Sequence, residues 1–494
     1  MRFTVDPPER LTDQRASLAY VTGLDRIPWP TRARIERTPD GEPATLLLER
    51  LSDDSGSVNI PWPVEGFGEL MLCTGILRER AEPYRLPLEL ARGTVNLLRN
   101  QLAEWQAIRL SVPPEVHEKT AEAIDRLAWA AVRQDEAQQC TGWADEAIAL
   151  AVEAGRVLAG AYVDQSMAVR RRGGGRLPVL LGSDLGGALL DEHTSTMVLR
   201  GFNAANVPLQ WRDLEASEGT RQFAVPDRQI HWCKTHGMRC FAGPLLRLDA
   251  GALPDWLTLW EGDFENVVAC ASEFIEAVVT RYRGKVDVWQ CAGRVNTGEA
   301  LDLSEQEQLQ LAAQTIELVA KLDPDRPRLI SFDQPWGEYM GHRRADFPPL
   351  HMADALVRAG MPISGIGLEI NVGLTPGGTR PRTTLELSHL LDQWNTLGLP
   401  LHVFVSAPSS SEPDPRSRRQ PADTPRKWTT RAQQVWVARN VTMMVAKPYV
   451  ASVFWNQLLD THPHQFPHAG LFDHQNRPKP ALRTLAALRR THLK

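Results

Sequence analysis

Residues Arg281-Tyr-Arg-Gly-Lys-Val-Asp-Val-Trp-Gln-Cys-Ala-Gly-Arg-Val-Asn296 join a helix-like segment to a strand-like one. The apolar residues before Arg281 recur at helical spacing, and Gly284 supplies a turn. The apolar run that follows is typical of a buried strand, and it ends in the polar residues Arg294 and Asn296. In a parallel α/β fold, polar residues at strand ends are the first candidates for a functional site.

The same alternation of strand and helix continues from Leu177 to the end of the chain. Eight strand candidates occur in about 310 residues, and no dinucleotide-type glycine-rich turn follows the first, so the pattern predicts a (β/α)8 TIM barrel rather than an open sheet. The predicted strands are Pro178–Asp184, Gly201–Val207, Arg239–Leu246, Val286–Cys291, Arg328–Asp333, Ser364–Ile370, Pro400–Val405 and Val450–Trp455. The helices predicted between them include Phe264–Tyr282, Glu305–Lys321, Thr383–Leu397 and Thr429–Val445.

The residues before the barrel have a different pattern. Short apolar runs such as Thr45–Leu51 and Phe67–Cys73, with turns at Asp40-Gly41 and Asp53–Gly56, predict a β-rich, sandwich-like domain over residues 1–110. It could be an accessory carbohydrate module or a structural cap on the barrel.

Residues 111–176 form a predicted connector between that domain and the barrel at 177–494. Helical periodicity covers 86–110 and again 113–167, and Arg170–Arg176, with three glycines, is the best candidate linker in the chain.

Composition excludes several classes of protein. The 494 residues are 43% hydrophobic and 23% charged with a net charge of −5, so nothing indicates a nucleic-acid partner, and no apolar run is long enough to span a bilayer. The N-terminus lacks the apolar core of a secretory signal, which favours a cytoplasmic location. The six cysteines are scattered without metal-type spacing. We expect no cofactor and no metal, and oligomeric state is not predictable.

The stretch that begins at Arg281 resembles the fourth-strand region of family-10 glycoside hydrolases, the xylanase family of (β/α)8 barrels. In that family an R-Y-x-G-K turn leads through a tryptophan to an Asn-Glu pair whose glutamate is the general acid/base. Aligned on Arg281–Lys285 and Trp289, the family's asparagine falls on Gly293 and its glutamate on Arg294.

Similar motifs extend the resemblance over residues 177–490. Phe202–Trp211 resembles the family's second-strand region, with Trp211 kept and Gln210 in place of a lysine. The segments Leu253–Trp256 and Gly470–Pro480 resemble the family's L-P-x-W and closing F-D-x-x-x-x-P-K-P motifs.

The sixth and seventh strands depart from the family pattern. Gly365–Asn371 resembles G-x-G-x-Q-x-H, with Glu369 in place of the glutamine and Asn371 in place of the histidine. Aligned on Leu397–Leu399, the family's nucleophilic glutamate falls on Val405. Retaining hydrolysis needs two carboxyl groups roughly 5–5.5 Å apart. The resemblance therefore predicts the barrel and excludes the family's standard mechanism.

Other carboxylates at strand ends could form a rebuilt centre. Asp333 ends the fifth strand, Glu338 follows in the same loop, and Glu369 ends the sixth strand; Asp460 lies beyond Trp455. An inverting pair, roughly 6.5–9.5 Å apart, would leave room for a water. The alternative is that Glu369 forms a structural salt bridge with Arg294.

Eight residues are predicted to contact a ligand, because amides and guanidinium groups bind hydroxyl or carboxylate oxygens and indoles stack on sugar rings. They are Gln210, Trp211, Arg247, Arg294, Asn296, Trp336, Asn371 and Trp455. An arginine at the position of the family's acid also suits a uronic acid. Each residue could equally be a core or surface residue without a ligand.

Two loops complete the predicted site. The eighth loop carries His462, His464 and His468, which could bind a metal but are also common in irregular loops. Residues 409–427, with several prolines and arginines, form a lid-like insertion above the seventh strand.

The first functional hypothesis is a glycoside-hydrolase-like protein that acts on a β-linked, xylan-like or uronate-containing oligosaccharide through Glu369 with Asp333 or Glu338. The second is a non-catalytic glycan-binding or scaffold protein. The third is an interaction protein in which the N-terminal part docks a partner. A closed bidentate pair between Glu369 and Arg294 would favour the second or the third. A second carboxylate within glycosidase range of Glu369, in an open cleft, would favour the first.

Overall fold

The computed structural model describes residues 1–37, 43–172, 175–249, 251–422 and 427–494. The predicted turn at Asp40-Gly41, two glycines of the predicted linker Arg170–Arg176, and part of the predicted lid lie outside the described residues.

Eight parallel strands in the described part of the chain close into a barrel. Each strand pairs with the next, the third and fourth meet at Phe241↔Val288, and the eighth returns to the first at Ser452↔Leu180. The strands are Leu180–Asp184, Ala204–Val207, Arg239–Ala242, Val288–Gly293, Arg328–Asp333, Gly365–Asn371, Leu401–Ser406 and Val450–Trp455. The predicted (β/α)8 TIM barrel is confirmed.

The barrel is closed at its centre by aromatic packing. The interior cluster consists of Ala204, Phe241, Leu329, Phe404 and Phe454. Gly182 makes room for it, because a Cβ at this position would lie 2.3 Å from the ring of Phe454. A packed interior leaves the strand ends, rather than the barrel axis, as the place where polar side chains can meet.

Helices surround the barrel and pack their apolar faces against it. They are Glu192–Gly201, Trp211–Leu214, Ala224–Thr235, Phe264–Tyr282, Glu305–Leu322, Pro349–Arg358, Thr384–Asn395, Thr430–Trp436, Thr442–Ala446 and Pro480–His492, with a π-helical segment at Val437–Val441. Local sequence sets their ends; Ser304 and Glu307, for example, form a capping box at the start of the fifth of these.

The N-terminal part contains two four-stranded sheets, which confirms the predicted β-rich segment. One sheet has the order Arg32–Glu36, Ala44–Glu49, Arg2–Val5, Tyr84–Arg85. The other has the order Pro28–Trp29, Tyr20–Thr22, Ser57–Val64, Gly68–Cys73.

Three helices, Leu86–Ala107, Pro114–Val132 and Ala137–Arg170, follow the sheets and share one hydrophobic core with them. The boundary predicted at residue 110 therefore divides residues that pack together. Leu385 and Met443 of the barrel belong to the same core, so the N-terminal part rests directly on the barrel. No helix of the described residues has the length and apolar character needed to cross a membrane.

Candidate functional site

The charged side chains at the carboxyl ends of the barrel strands form one buried network. Arg294 follows the fourth strand, and Asp333 and Glu369 occupy paired positions on the fifth and sixth. Arg294 has a positive φ of 56° and a side chain that is only 2% exposed. A non-glycine residue in the left-handed region is uncommon, so the backbone here is held by its surroundings.

Arg294 holds Glu369 in a closed pair. Its Nε donates to Glu369 Oε2 at 2.7 Å, and Ser331 Oγ donates to Glu369 Oε1 at 3.1 Å. Both carboxylate oxygens are thus engaged within the protein. The predicted salt bridge between Arg294 and Glu369 is therefore present. It has one hydrogen bond and is not bidentate, because Arg294 Nη1 lies against Asp249 instead.

A second carboxylate, Asp249, completes the network and was not predicted from the sequence. Arg247 Nε donates to Asp249 Oδ1 at 2.7 Å, and Arg294 Nη1 lies 3.4 Å from Asp249 Oδ2. Burial opposes ionisation, but the charges of Arg247 and Arg294 outweigh it and hold the pKa of Asp249 well below its ordinary value. The available signal was a carboxylate two residues beyond an arginine at a strand end.

Asp333 has a different environment. Its carboxyl is buried and accepts a hydrogen bond from the backbone N–H of Gln334 at 3.0 Å. Burial raises the pKa of Asp333 to about 6; the charge of Arg294 opposes this rise and that of Glu369 adds to it. Burial likewise raises the pKa of Asp184, at the end of the first strand, to about 6.

The loops after the sixth, seventh and eighth strands cover this network. Phe466 packs with Leu374 and Ala469, and the Arg294 guanidinium lies 5.6 Å from the centre of its ring. Ser417 of the predicted lid donates to the carbonyl of Gln465 at 3.1 Å. Three cavities, of about 520, 530 and 640 Å³, lie elsewhere, and Asp249, Arg294 and Glu369 line none of them.

Two tryptophans predicted to stack on a sugar ring are core residues instead. Trp211 is buried, stacks on Phe274 at 5.0 Å, and donates its indole N–H to Glu215. Trp455 is also buried and donates to the carbonyl of Ala469. Their faces are covered by neighbouring side chains, which corrects the prediction for both.

The predicted polar ligand contacts are mostly engaged within the protein. The Asn296 side chain forms two hydrogen bonds with the backbone of Asp333: it donates to the carbonyl at 2.7 Å and accepts from the N–H at 2.9 Å. Asn371 Oδ1 accepts from both Ser406 and Asn456 at 2.8 Å. Gln210 is half-buried, immediately before the short helix that begins at Trp211.

Glu338 and Trp336 lie away from the other predicted site residues, at the contact with the N-terminal sheets. Arg382 Nη2 donates to Glu338 Oε1 at 3.0 Å and to the Tyr20 hydroxyl oxygen at 2.8 Å. The Arg382 guanidinium also lies 4.9 Å from the centre of the Trp336 ring. Glu338 therefore joins two parts of the fold, and its action together with Glu369 stays a prediction.

The Asp414 carboxylate holds the loop that carries His464 and His468 in place. Asp414 accepts from the backbone N–H of His468 at 2.8 Å and lies 3.0 Å from His464 Nε2. Asp460 similarly accepts from the backbone N–H of Gly470 and from Lys479. Across the described residues we find no group of three or more His, Cys, Asp or Glu side chains placed to hold a metal ion.

We expect Asp333→Asn to stabilise the protein at pH 7.5. The folded-state pKa of about 6 exceeds the ordinary 3.8, so ionised Asp333 costs stability above pH 6, and this cost disappears as the pH falls towards 4. The difference between the two pKa values corresponds to about 3 kcal/mol. Urea unfolding of both proteins at pH 7.5 and pH 4.5 measures it. A stability difference that does not shrink at the lower pH would contradict the assignment.

The closed ring of parallel strands with its outer helices makes this chain a (β/α)8 barrel protein with a buried ion network at the functional edge. Solved structures of similar fold include xylanase 10B from Thermotoga maritima (16% identity, 66% of this chain, 96% of that one, TM-score 0.48). Another is xylanase 10B from Thermotoga petrophila in complex with xylobiose, with 17% identity, 63% of this chain and 94% of that one covered, and a TM-score of 0.48. No sequence model of a known protein family matches the chain, and no curated protein matches it.

Proposed function

We propose that this chain is a carbohydrate-binding protein that does not hydrolyse its ligand. The observation that carries the proposal is the closed pair between Arg294 Nε and Glu369 Oε2 at 2.7 Å. A strand-end carboxylate that accepts from a guanidinium on one oxygen and a hydroxyl on the other supports a structural role for Glu369.

The chemistry of glycoside hydrolysis requires more freedom than this network allows. One carboxyl group must protonate the leaving oxygen, and a second must attack the sugar or activate a water. Arg294 stays protonated at any physiological pH and cannot serve as the acid. Each oxygen of Glu369 already accepts a hydrogen bond, one of them from a cation, which lowers the basicity of the carboxylate. Phe466 and the loops after the sixth, seventh and eighth strands cover the network, and the Arg294 and Glu369 side chains are 2% and 10% exposed.

The support for a carbohydrate ligand comes from the sequence and the fold together. The R-Y-x-G-K turn at Arg281–Lys285 and the closing motif at Gly470–Pro480 resemble the family-10 glycoside hydrolases, and the chain forms the barrel that this resemblance implies.

A second candidate function is hydrolysis through Asp333 and Glu369. The pKa of Asp333, near 6, would suit a general acid, and the two residues are neighbours across the fifth and sixth strands. This function requires an opening of the covering loops that admits a substrate to the two carboxyl groups.

Hydrolysis and binding of the same oligosaccharides separate these candidates. Wild type and Glu369→Gln are incubated with xylo-, gluco- and uronate-containing oligosaccharides, and calorimetry measures binding on the same samples. We expect no turnover by either protein and binding of at least one oligosaccharide by wild type.

Turnover by wild type that Glu369→Gln abolishes would overturn the proposal in favour of an enzyme. Neither turnover nor binding would leave the third hypothesis, a protein that docks a partner. Equal affinity for neutral and uronate oligosaccharides would also reject the earlier idea that Arg294 selects a uronic acid.

A further inference from the structure

A cleft between the N-terminal sheets and the barrel combines the features of a small-molecule site. It has a volume of about 520 Å³, within the range of roughly 300–1,000 Å³ that is usual for ligand pockets. The N-terminal wall includes the helix Leu86–Ala107, and the barrel wall includes Trp336 and the helix Thr384–Asn395. The ion network around Arg294 forms no part of its lining.

The walls of this cleft present hydrogen-bonding groups without an internal partner. Asn96 and Asn100 lie one helical turn apart on one wall, and Gln393 and His351 lie on the other. Within the described residues, none of these four side chains forms a hydrogen bond or an ion pair with another residue. Amide groups that both donate and accept are suited to hydroxyl groups, which do the same.

His389, one turn before Gln393, contributes a buried atom that lacks a partner. Its Nε2 is buried without a hydrogen bond to any described residue, and its Nδ1 lies 3.4 Å from Arg26 Nη1. Burial lowers the pKa of His389, so the ring is neutral near pH 7. A buried polar atom left unpaired costs about 1–3 kcal/mol, so His389 is a polar group beside the cleft that the fold itself does not satisfy.

The charges that line the cleft balance. Asp25 and Glu386 are negative, and Arg26 and Arg382 are positive. The Arg382 charge is compensated by Glu338 at 3.0 Å and Glu386 at 3.9 Å, and Arg26 is next to Asp25, so the cleft has no excess of positive charge to select an anion. Trp336 is partly exposed and adds a flat apolar surface of the kind on which a sugar ring packs.

From this geometry we infer that the cleft binds a neutral, polyhydroxylated ligand of one or two sugar rings. The assignment of a sugar rests on the proposed function; the location of the site is the new element. The ligand would sit between the two parts of the fold, and the mouth of the barrel would contribute nothing to its affinity.

Titration with xylobiose, cellobiose and glucuronate tests the inference. The proteins are wild type, the double variant Asn100→Ala/Gln393→Ala, and Asn395→Ala as a matched control. Asn395 lies on the same helix as Gln393 and does not line the cleft. We expect one of the neutral disaccharides to bind wild type and the control equally, and the double variant at least tenfold more weakly.

Thermal unfolding of each protein shows whether the double variant is folded. If the double variant is unfolded, His351→Ala, a change at an exposed residue, takes its place in the titration. In addition, NMR follows the ring signals of His389 in the wild type as the disaccharide is added. Shifted His389 signals support the site, and unchanged signals at saturation overturn it.

The remaining outcomes separate this inference from the proposed function. Equal binding of a neutral disaccharide to wild type and to the double variant would reject the cleft as the binding site. The proposed carbohydrate-binding function would still stand. Preference for glucuronate would overturn the neutral ligand. Absence of binding by wild type to any of the three would overturn both.

Discussion

Replacing Arg294 with methionine is expected to destabilise the protein by about 3–5 kcal/mol. Removal of one partner from a buried ion pair leaves the other charge without compensation, and that cost is typically of this size. Arg294 has two buried partners, Glu369 and Asp249, and Arg247 compensates only Asp249. Urea unfolding at pH 7.5 measures the loss.

Two further variants show whether the loss comes from the unpaired Glu369. The double variant Arg294→Met/Glu369→Leu removes both charges, so we expect it to recover at least half of the lost stability, since an apolar pair of similar size often replaces a buried ion pair without cost. Arg358→Met breaks an exposed pair with Asp354 and should cost less than about 1 kcal/mol. A double variant as unstable as the single one would show that Arg294 acts through its volume or its backbone rather than through its charge.

We expect Arg382→Met to cost about 3 kcal/mol or more and to loosen the contact between the N-terminal part and the barrel. The Arg382 side chain is 4% exposed and that of Glu338 is 8% exposed. Without the guanidinium, the buried Glu338 loses its ion pair and keeps only a long hydrogen bond, 3.4 Å, from the backbone N–H of Arg380. Tyr20 also loses its link to the barrel.

Unfolding followed by two probes tests this expectation. The fluorescence of buried tryptophans and the rate of proteolysis between residues 160 and 180 should report separate transitions in Arg382→Met and one transition in wild type. Tyr20→Phe, which removes only the hydroxyl, is the matched control and should cost roughly 1 kcal/mol. A single transition of unchanged midpoint in Arg382→Met would show that apolar packing alone holds the two parts together.

The strands of the barrel could be predicted because each is a local apolar run with turn residues at its ends. The largest difference between a predicted and an observed strand end is in the third strand. It was predicted as Arg239–Leu246 and is observed as Arg239–Ala242, with a separate short strand at Leu246–Arg247. Gly243, with φ of 120°, breaks the strand, and a Cβ there would lie 2.4 Å from the Gln290 carbonyl oxygen. A close approach to a neighbouring strand leaves no trace in hydrophobic periodicity.

The functional residues were less predictable than the strands. The sequence pointed to Glu369 and Arg294 but left two interpretations, because a carboxylate at a strand end has the same local pattern whether it is free or paired. Trp211 and Trp455 were expected to face a ligand, since an aromatic residue that packs in a core and one that binds a sugar have the same sequence signal. Asp249 has a local partner in Arg247, but its place in the network depends on Arg294, which is 45 residues away.

Periodicity, turn residues and local motifs were sufficient for the barrel and the β-rich segment, since each depends on residues within a few positions of one another. The role of Glu369 depends on a contact with a residue 75 positions away, and that contact exists only after the fourth, fifth and sixth strands have paired. The cleft at Trp336 likewise arises where helices from opposite ends of the chain meet. Only tertiary structure could decide these features, because the free energy of a charge or an amide depends on what surrounds it in space.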